Sequence, residues 1–501
     1  MGKLSSKNSA ATDYNKFSIF PCTTITGKER PDQFALLDAR GSGTRGAYST
    51  RIGVSMICFL LVLGMAGCAN GIRNLALTAG GPVKVFQVSE FGAKGDGSSD
   101  DGPAIEQAIK AAIKVGGGQV VFPCGEFLLR SSAGAAPSNR SLLYWKGAVA
   151  VELLGQGHCS HLFTTMSEKS VLEFEDSSNI SISELRITAL NAPYVETYGM
   201  DGGSAIRFTG VSNGNISKVE VDGASAGALY LTKGTSSTSV SSNFVHDTYG
   251  SAIWEDDCGS ANAKNCEPSV PPEDNTYDSN TFTNTSLNAG AAIVLDDGNG
   301  DSKAVVQKNV ISWTHQPNAG NQKVHCIQVN NASDVSVLGN SCSGTPWDGI
   351  VITTGATGKS KGVTLQGNSI LNSGTSSIGG SGIVVYDDPK GLGISTFTVT
   401  SNIITTAADD GIRLRAASKR GNVQNAQIEN NTIQMVDQRS PGSRFGIDIE
   451  DSASITVDSN MVSCNGKCIA VGVNVNSSSQ TTPTAASNQV VNIVGTPLRI
   501  N

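Results

Sequence analysis

Two short patterns of apolar and polar positions alternate along residues 180–473. The first reads apolar-x-apolar-x-x-Asn-x-apolar, as in Val335-Ser-Val337-Leu-Gly-Asn340-Ser-Cys342 and Val363-Thr-Leu365-Gln-Gly-Asn368-Ser-Ile370. Its Asn recurs at 243, 280, 309, 340, 368, 402, 431 and 460, in steps of 28 to 37 residues. Two earlier copies carry Leu185 and Val219 in that place. The second pattern is a small residue followed by apolar-x-apolar, as in Gly349-Ile350-Val351-Ile352 and Gly411-Ile412-Arg413-Leu414. One copy of it stands between every two copies of the first. Both have the period of a strand, with almost no helical signal. A fixed repeat of this length marks a solenoid, because one short strand cannot bury a face alone and must stack on its neighbours. Asn tolerates a left-handed corner, and its amide can bond along a turn, so stacked corners predict an Asn ladder. The expected fold is all-β: a right-handed parallel β-helix with about ten recognisable rungs. A β-propeller needs about four strands in every 40–45 residues, joined by tight hairpins, and the turn signals are too few for that.

The second pattern can be aligned on its first apolar residue: Ile206, Leu229, Ile253, Ile293, Ile327, Ile350, Ile383, Ile412, Ile447 and Ile469. That residue and the one two positions on should face inward, since strand side chains alternate. The outward columns then include Trp254, Gln328, Arg413 and Asp448 in one line, and Asp256, Asp296, Asn330, Tyr386, Arg415 and Glu450 in the next. Glu255 breaks the inward column. A lone buried carboxylate is costly, so a bulge or a local register shift is expected there.

Composition narrows the setting. Aromatic residues are 6% and Gly numbers 57, which suits tight turns around a thin aliphatic core. Residues 69–501 carry 28 basic and 39 acidic residues, which argues against a nucleic-acid-binding surface. Residues 1–50 are polar and aperiodic and read as a disordered extension or as sequence upstream of the true start. Residues 51–68 contain a short apolar run ending in small residues before Cys68. That run suits a signal peptide, and the small residues resemble a lipoprotein signal with Cys68 as the lipidated residue. An uncleaved membrane anchor is the alternative. Residues 69–84 are a linker, and the β-helix domain is expected over 85–501. The expected location is outside the cytoplasm, either lipid-anchored in the envelope or secreted. Disulfides fit an exported chain, and Cys258/Cys266 and Cys464/Cys468 are close enough to close small loops. No His falls at zinc-ligand spacing with these cysteines, so no metal site is expected.

Residues 85–130 carry a family pattern. They read Phe91-Gly92-Ala93-Lys-Gly95-Asp96-Gly97, then Asp100-Asp101, then Gly116-Gly-Gly118-Gln-Val120-Val-Phe122-Pro123. Between them Ala104, Ile105, Ala108, Ile109, Ala112 and Ile113 form an apolar stripe at helical spacing, with Asp101 as N-cap and Pro103 in the first turn. This block resembles the start of the pectate-lyase-like β-helix superfamily, which includes polygalacturonases, rhamnogalacturonases, sugar epimerases and phage tailspikes. The resemblance implies an N-terminal capping helix and a groove for a sugar polymer along the outward columns.

Candidate chemistry follows from those columns. Asp256 and Asp296 fall on successive rungs, about 5 Å apart, with Asp257 and Asp297 beside them. Carboxylates that close split their pKa values and suit one acid and one base. A hydrolase resembling polygalacturonases would use these four residues, with Arg413 on a uronate. Trp254, Asn330, Tyr386, Arg413 and Arg415 are the candidate substrate contacts, since Arg forks match sugar carboxylates and Trp can stack on rings. The family's Asn-Thr-Asp and Gly-His-Gly motifs are absent from the rungs, and Arg415 replaces its Lys. A lyase or epimerase would instead use an Arg or Tyr near a neutralised uronate, with Ca²⁺ on the stacked acids as an optional cofactor; the hydrolase requires none. His325 lies just before a groove strand, while His158, His161, His246 and His315 show no convergent spacing. The second class of function is a surface β-helix that binds glycans without turnover, as an adhesin does.

Overall fold

The computed structural model describes residues 83–500, apart from 131–139, 167–168, 190–202, 258–269, 288–289, 299–301, 315–322, 356–357, 376–378, 417–421, 437–443, 466–470, 477–486 and 494–495. Cys68, Cys258 and Cys266 lie outside the described residues, as do the 1–50 and 51–68 segments.

Among the described residues of the unit Leu75–Asn501 the strands form three sheets of 14, 14 and 13 strands, and the ladder pairs are parallel. The first sequence pattern supplies two sheets at once. Its leading half makes strands such as Ser336–Leu338 in the first sheet, and its trailing half makes Ser341–Ser343 in the second. The second pattern makes the third sheet, with strands such as Ile350–Thr353 and Ile412–Ala416. The core is one continuous apolar column inside the coil, including Ile206, Ile253, Ile293, Ile327, Ile350, Ile383, Ile412 and Ile447, none of them exposed.

The Asn corners stack as expected. Each side-chain amide donates to the next Asn, as Asn309 to Asn340 at 2.9 Å and Asn340 to Asn368 at 3.0 Å. Each also donates to a backbone carbonyl of the coil before, as Asn340 to Val306 at 2.9 Å. The ladder runs from Asn243 past Asn460 to Asn488, one member beyond the sequence pattern. The left-handed backbone sits one residue earlier than expected, at Ser242, Ser279, Lys308, Ser401, Asn430 and Ser459. The Asn needs its side chain inside the corner, so its predecessor makes the turn.

The small residue of the second pattern answers a close approach. A Cβ at Gly349, Gly382, Gly411 or Gly446 would lie 2.4–2.7 Å from the carbonyl oxygen of the next coil's glycine. The aligned register holds from Ile206 to Ile447. It fails at the last copy, where Ile447 pairs with Val473 and not with Ile469, so Asn474 lies beside Asp448. Glu255 also corrects the expectation. Neither bulge nor shift occurs, since Leu231, Glu255 and Leu295 are register partners and Glu255 points into the coil, fully buried.

A helix, Gly102–Lys114, buries Ile105, Ala108, Ile109 and Ala112. Asp101 does not cap it with its side chain. Its carboxylate accepts the Lys94 and Gly95 amides instead, at 2.7 and 3.1 Å. Disulfides join Cys124 to Cys159 and Cys326 to Cys342. Neither pairing was legible from spacing, because both connect residues brought together by coiling. Cys464 is also disulfide-bonded, and its partner lies outside the described residues. Among the described residues no helix is long and apolar enough to cross a membrane.

Candidate active-site groove

The outward face of the third sheet divides into a closed and an open half. In the closed half, outward residues Glu173, Arg207, Thr209, Tyr230 and Thr232 are all at most 2% exposed. Glu173, Arg207, Thr209 and Tyr230 engage one another or nearby side chains, while the Thr232 hydroxyl finds no partner. Arg140 donates to Glu173 from Nε at 3.0 Å, Arg207 Nε lies 3.5 Å from the same carboxylate, and the Arg207 guanidinium stacks 4.6 Å from the Tyr230 ring centre. Burial pushes Glu173 up, but Arg140 and Arg207 hold it below the usual carboxylate range.

Asp256 and Asp296 are register partners on adjacent strands, as expected. Each is held by neighbouring side chains, and burial pushes Asp296 up. Asp256 is 9% exposed and accepts from the Tyr230 hydroxyl at 3.0 Å. Asp296, half-buried, accepts from Asn330 at 2.8 Å and Asn331 at 3.0 Å. Asn330 is therefore tied to a carboxylate. Asp257 is half-buried against Gly298. Asp297 faces the coil interior with no exposure, where burial and the Glu255 carboxylate push it well up. Glu255 accepts there from Asn275 at 3.1 Å, from Ser302 at 3.2 Å and from the Tyr277 hydroxyl. Trp254 sits half-buried with its ring 6.1 Å from Tyr230.

The open half holds a cavity of about 440 Å³. Its floor is the columns Gln328–Val351–Val384–Arg413 and Thr353–Tyr386–Arg415. Tyr386 and Arg415 are adjacent partners. Arg415 follows Asp296 by four strands, about 20 Å away. One wall is built at the entry to the strands, by His325, Trp347, Asp348 and Lys323. The His325 and Trp347 rings lie 4.8 Å apart, and the Lys323 ammonium sits 4.6 Å above Trp347. His325 Nδ1 is buried, unbonded, and 3.4 Å from an Asp348 carboxylate oxygen.

Electrostatics separates the roles. Burial, with the Lys323 charge, drives the His325 imidazole down to about 3, so it is neutral at ordinary pH. Burial pushes Asp348 up to about 7, against the Ser381 amide that donates to it at 2.8 Å. Asp410, two strands on in the same column, is pushed to about 7 by the same cause. Arg413 stands among carboxylates of Asp410, Asp448 and Glu450 at 3.6–4.0 Å, and Arg415 lies 3.5 Å from Glu450 while half its side chain is in solvent. Among the described residues no three carboxylate, imidazole or thiol groups converge as metal ligands. The stacked acids at 256 and 296 accept from Tyr230 and from Asn330 and Asn331.

Tyr386, Arg413 and Arg415 were thus legible as groove residues, and His325 as a neighbour of it. Asp348, Asp410 and Lys323 were not. Asp348, Ser381 and Asp410 occupy the position just before the small residue of three successive copies. That alignment was available, but only burial gives those carboxyls their character.

Two family models match: one described as "Rhamnogalacturonase A/epimerase, pectate lyase-like" over residues 85–315, and one described as "Right handed beta helix region" over residues 325–500. Mannuronan C5-epimerase AlgE3 of Azotobacter vinelandii is 36% identical over 109 residues, which are 21% of this chain and 6% of that protein. Alginate lyase 7 of the same organism is 50% identical over 58 residues, 12% of this chain and 6% of that one. The chain therefore matches only a small part of these relatives' length. Among solved structures, the A-module of mannuronan C-5 epimerase AlgE6 from Azotobacter vinelandii aligns over 83% of this chain and 99% of its own, with TM-score 0.54 and 19% identity. The catalytic unit of a GH87 α-1,3-glucanase from Streptomyces thermodiastaticus aligns over 84% and 70%, with TM-score 0.54 and 17% identity. The adhesin PfbA of Streptococcus pneumoniae aligns over 83% and 100%, with TM-score 0.52 and 17% identity. At these identities the likeness to an epimerase, a glucanase and an adhesin speaks for the shared fold alone. The three parallel sheets, the N-terminal block and the two family models together make this chain a member of the pectate-lyase-like right-handed parallel β-helix superfamily.

Proposed function

We propose that the chain modifies a uronate-containing polysaccharide at C5 of the sugar acid, as a lyase or an epimerase. One observation carries the reading: a neutral imidazole, a phenol and cationic side chains line one open cavity, at His325, Tyr386, Lys323 and Arg415. The C5 proton of a uronate is removable only when its carboxylate is neutralised. Arg415 and Lys323 supply that charge, and the Arg fork suits a carboxylate. His325, neutral at ordinary pH, accepts the C5 proton as general base. The imidazolium so formed is balanced by Asp348, which carries charge above about pH 7. From the resulting enolate the route divides. In a lyase the C4–O bond breaks, Tyr386 gives its proton to the departing oxygen, and an unsaturated uronate remains. In an epimerase Tyr386 returns a proton to the other face of C5 and no bond of the polymer breaks. Relatives named as mannuronan C5-epimerases and an alginate lyase support this chemistry. Disulfides support action outside the cytoplasm.

Incubation with polymannuronate, alginate and polygalacturonate in D₂O tests the reading. Unsaturated product identifies a lyase, and deuterium at C5 of intact polymer an epimerase. Reducing ends with neither would refute C5 chemistry and return the acid pair Asp256/Asp296, with Asp257 and Asp297, to consideration as a hydrolase. Binding with no product would leave a glycan-binding surface.

A further inference from the structure

The disulfide Cys326–Cys342 has no place in the chemistry above, yet Cys326 follows His325 directly. Its place in the coil sets it apart. The residue before the first inward apolar position is Ala205, Ala228, Ala252, Ala292, Gly349, Gly382, Gly411 or Gly446 in the other coils. In this coil alone among those it is a cysteine, and the coil is the one that carries His325. Cys326 and Ile327 are both fully buried, while His325 lines the cavity. Cys342 lies in the second sheet between its register partners Ile311 and Ile370. It stands two residues after Asn340, whose amide is bonded to Val306 and Asn368. The bond thus runs across the coil interior, from a corner of the ladder to the start of the strand Val324–Asn330, with Cα atoms 6.0 Å apart.

We propose that the Cys326–Cys342 disulfide is a positioning element: it clamps the start of this strand so that His325 presents one orientation to the groove, against Trp347 and Asp348. His325 needs such a hold. Its Nδ1 makes no hydrogen bond, and ring contact with Trp347 does not fix rotation about the side chain. The ladder holds the backbone under it on either side, and the cross-link adds a covalent hold from inside the coil at the adjacent residue. The catalytic consequence rests on the reading of His325 as the base, but the clamp itself does not.

The test is the variant Cys326→Ala/Cys342→Val. Alanine already stands at the equivalent place in neighbouring coils, and valine approaches the isoleucines that flank Cys342. Cys124→Ser/Cys159→Ser serves as control for a disulfide far from the groove. NMR titration of the imidazoles, with His325 assigned through His325→Gln, is read in the full chain. The groups facing His325 are Asp348, Lys323 and Trp347, and they are unchanged in both variants. Protonation of His325 should move up by about one unit or more toward the ordinary imidazole value in the first variant, and stay put in the control. On a confirmed substrate, kcat should fall about tenfold with KM within about twofold. An unchanged His325 titration in the folded variant overturns the clamp, whatever the substrate. An equal shift in the control also overturns it, because general loosening would then be the cause. A shifted titration with wild-type kcat upholds the clamp and sinks His325 as the base. Should the double variant not fold, Cys326→Ala alone removes the bond and is read in the same way.

Discussion

His325 and Asp348 stand side by side in the cavity wall: burial keeps the imidazole neutral and pushes the carboxyl up to about 7. His325→Gln should lower turnover by about a hundredfold or more on a confirmed substrate, as for loss of a general base. Asp256→Asn, which keeps an acceptor for the Tyr230 hydroxyl, should stay within a few-fold of wild type. The reverse ranking in steady-state assays would move the active site to the closed half of the sheet. The pH profile separates the partners. Asp348 loses its charge as pH falls through about 7, so turnover should drop there. The His325 imidazole, protonated only near pH 3, adds no limb in that range. Asp348→Asn should give a slower enzyme whose profile has lost the limb near 7; a limb that persists would assign it to another group. Tyr386, Arg413 and Arg415 were visible in the sequence because strand alternation alone sets which way they point. The character of Asp348 was not, because a carboxyl two bonds from the backbone reads the same buried or exposed.

The Asn corners and the glycine stack are what make one coil fit the next. Asn340 donates to two acceptors, and its own oxygen accepts the Asn309 amide nitrogens at 2.9 and 3.0 Å, all of this buried. Removing it strands several polar groups at once, each worth about 1–3 kcal/mol when left unsatisfied. Asn340→Ala should therefore destabilise the protein by about 3 kcal/mol or more in denaturant melts. Asn488→Ala, at the partly exposed end of the ladder, should cost about 1 kcal/mol. Equal losses would mean that the ladder carries no cooperative weight. The ladder was legible because its period and residue type are written in the chain. Its left-handed residue was misplaced by one, since sequence shows that a corner exists but not which residue turns it.

Charge inside the molecule couples its stability to pH. Asp348 and Asp410 are pushed to about 7, and burial pushes Glu255 and Asp297 up within the coil. The folded state thus holds protons that the unfolded chain, with ordinary carboxyls near pH 4, has released. Stability should fall as pH rises from about 4 to about 7. Glu173, held low by Arg140 and Arg207, and the buried His325 imidazole act in the opposite sense, because their unfolded forms still bind protons in part of that window, but the raised carboxyls outnumber them. Melting by circular dichroism at intervals of pH checks this. A curve that rises between 4 and 7 refutes it, and Asp348→Asn/Asp410→Asn should flatten it. The same buried charges make Arg207 costly to lose. Arg207→Ala would leave Glu173 short of a partner in the dry part of the sheet face, for about 3–5 kcal/mol.

Local pattern in the chain sets the coil: its parallel stacking, its register from Ile206 to Ile447, its ladder and the outward columns of the groove. These follow from contacts between residues one repeat apart, where alternation, Asn amides and small residues act locally. Which stretch of the outward face stays open is set by packing around the coil. The tertiary structure also decides that Glu255 and Asp297 meet inside the coil, and which cysteines pair. Those outcomes depend on burial and on distances across the coil, and a one-dimensional pattern carries neither.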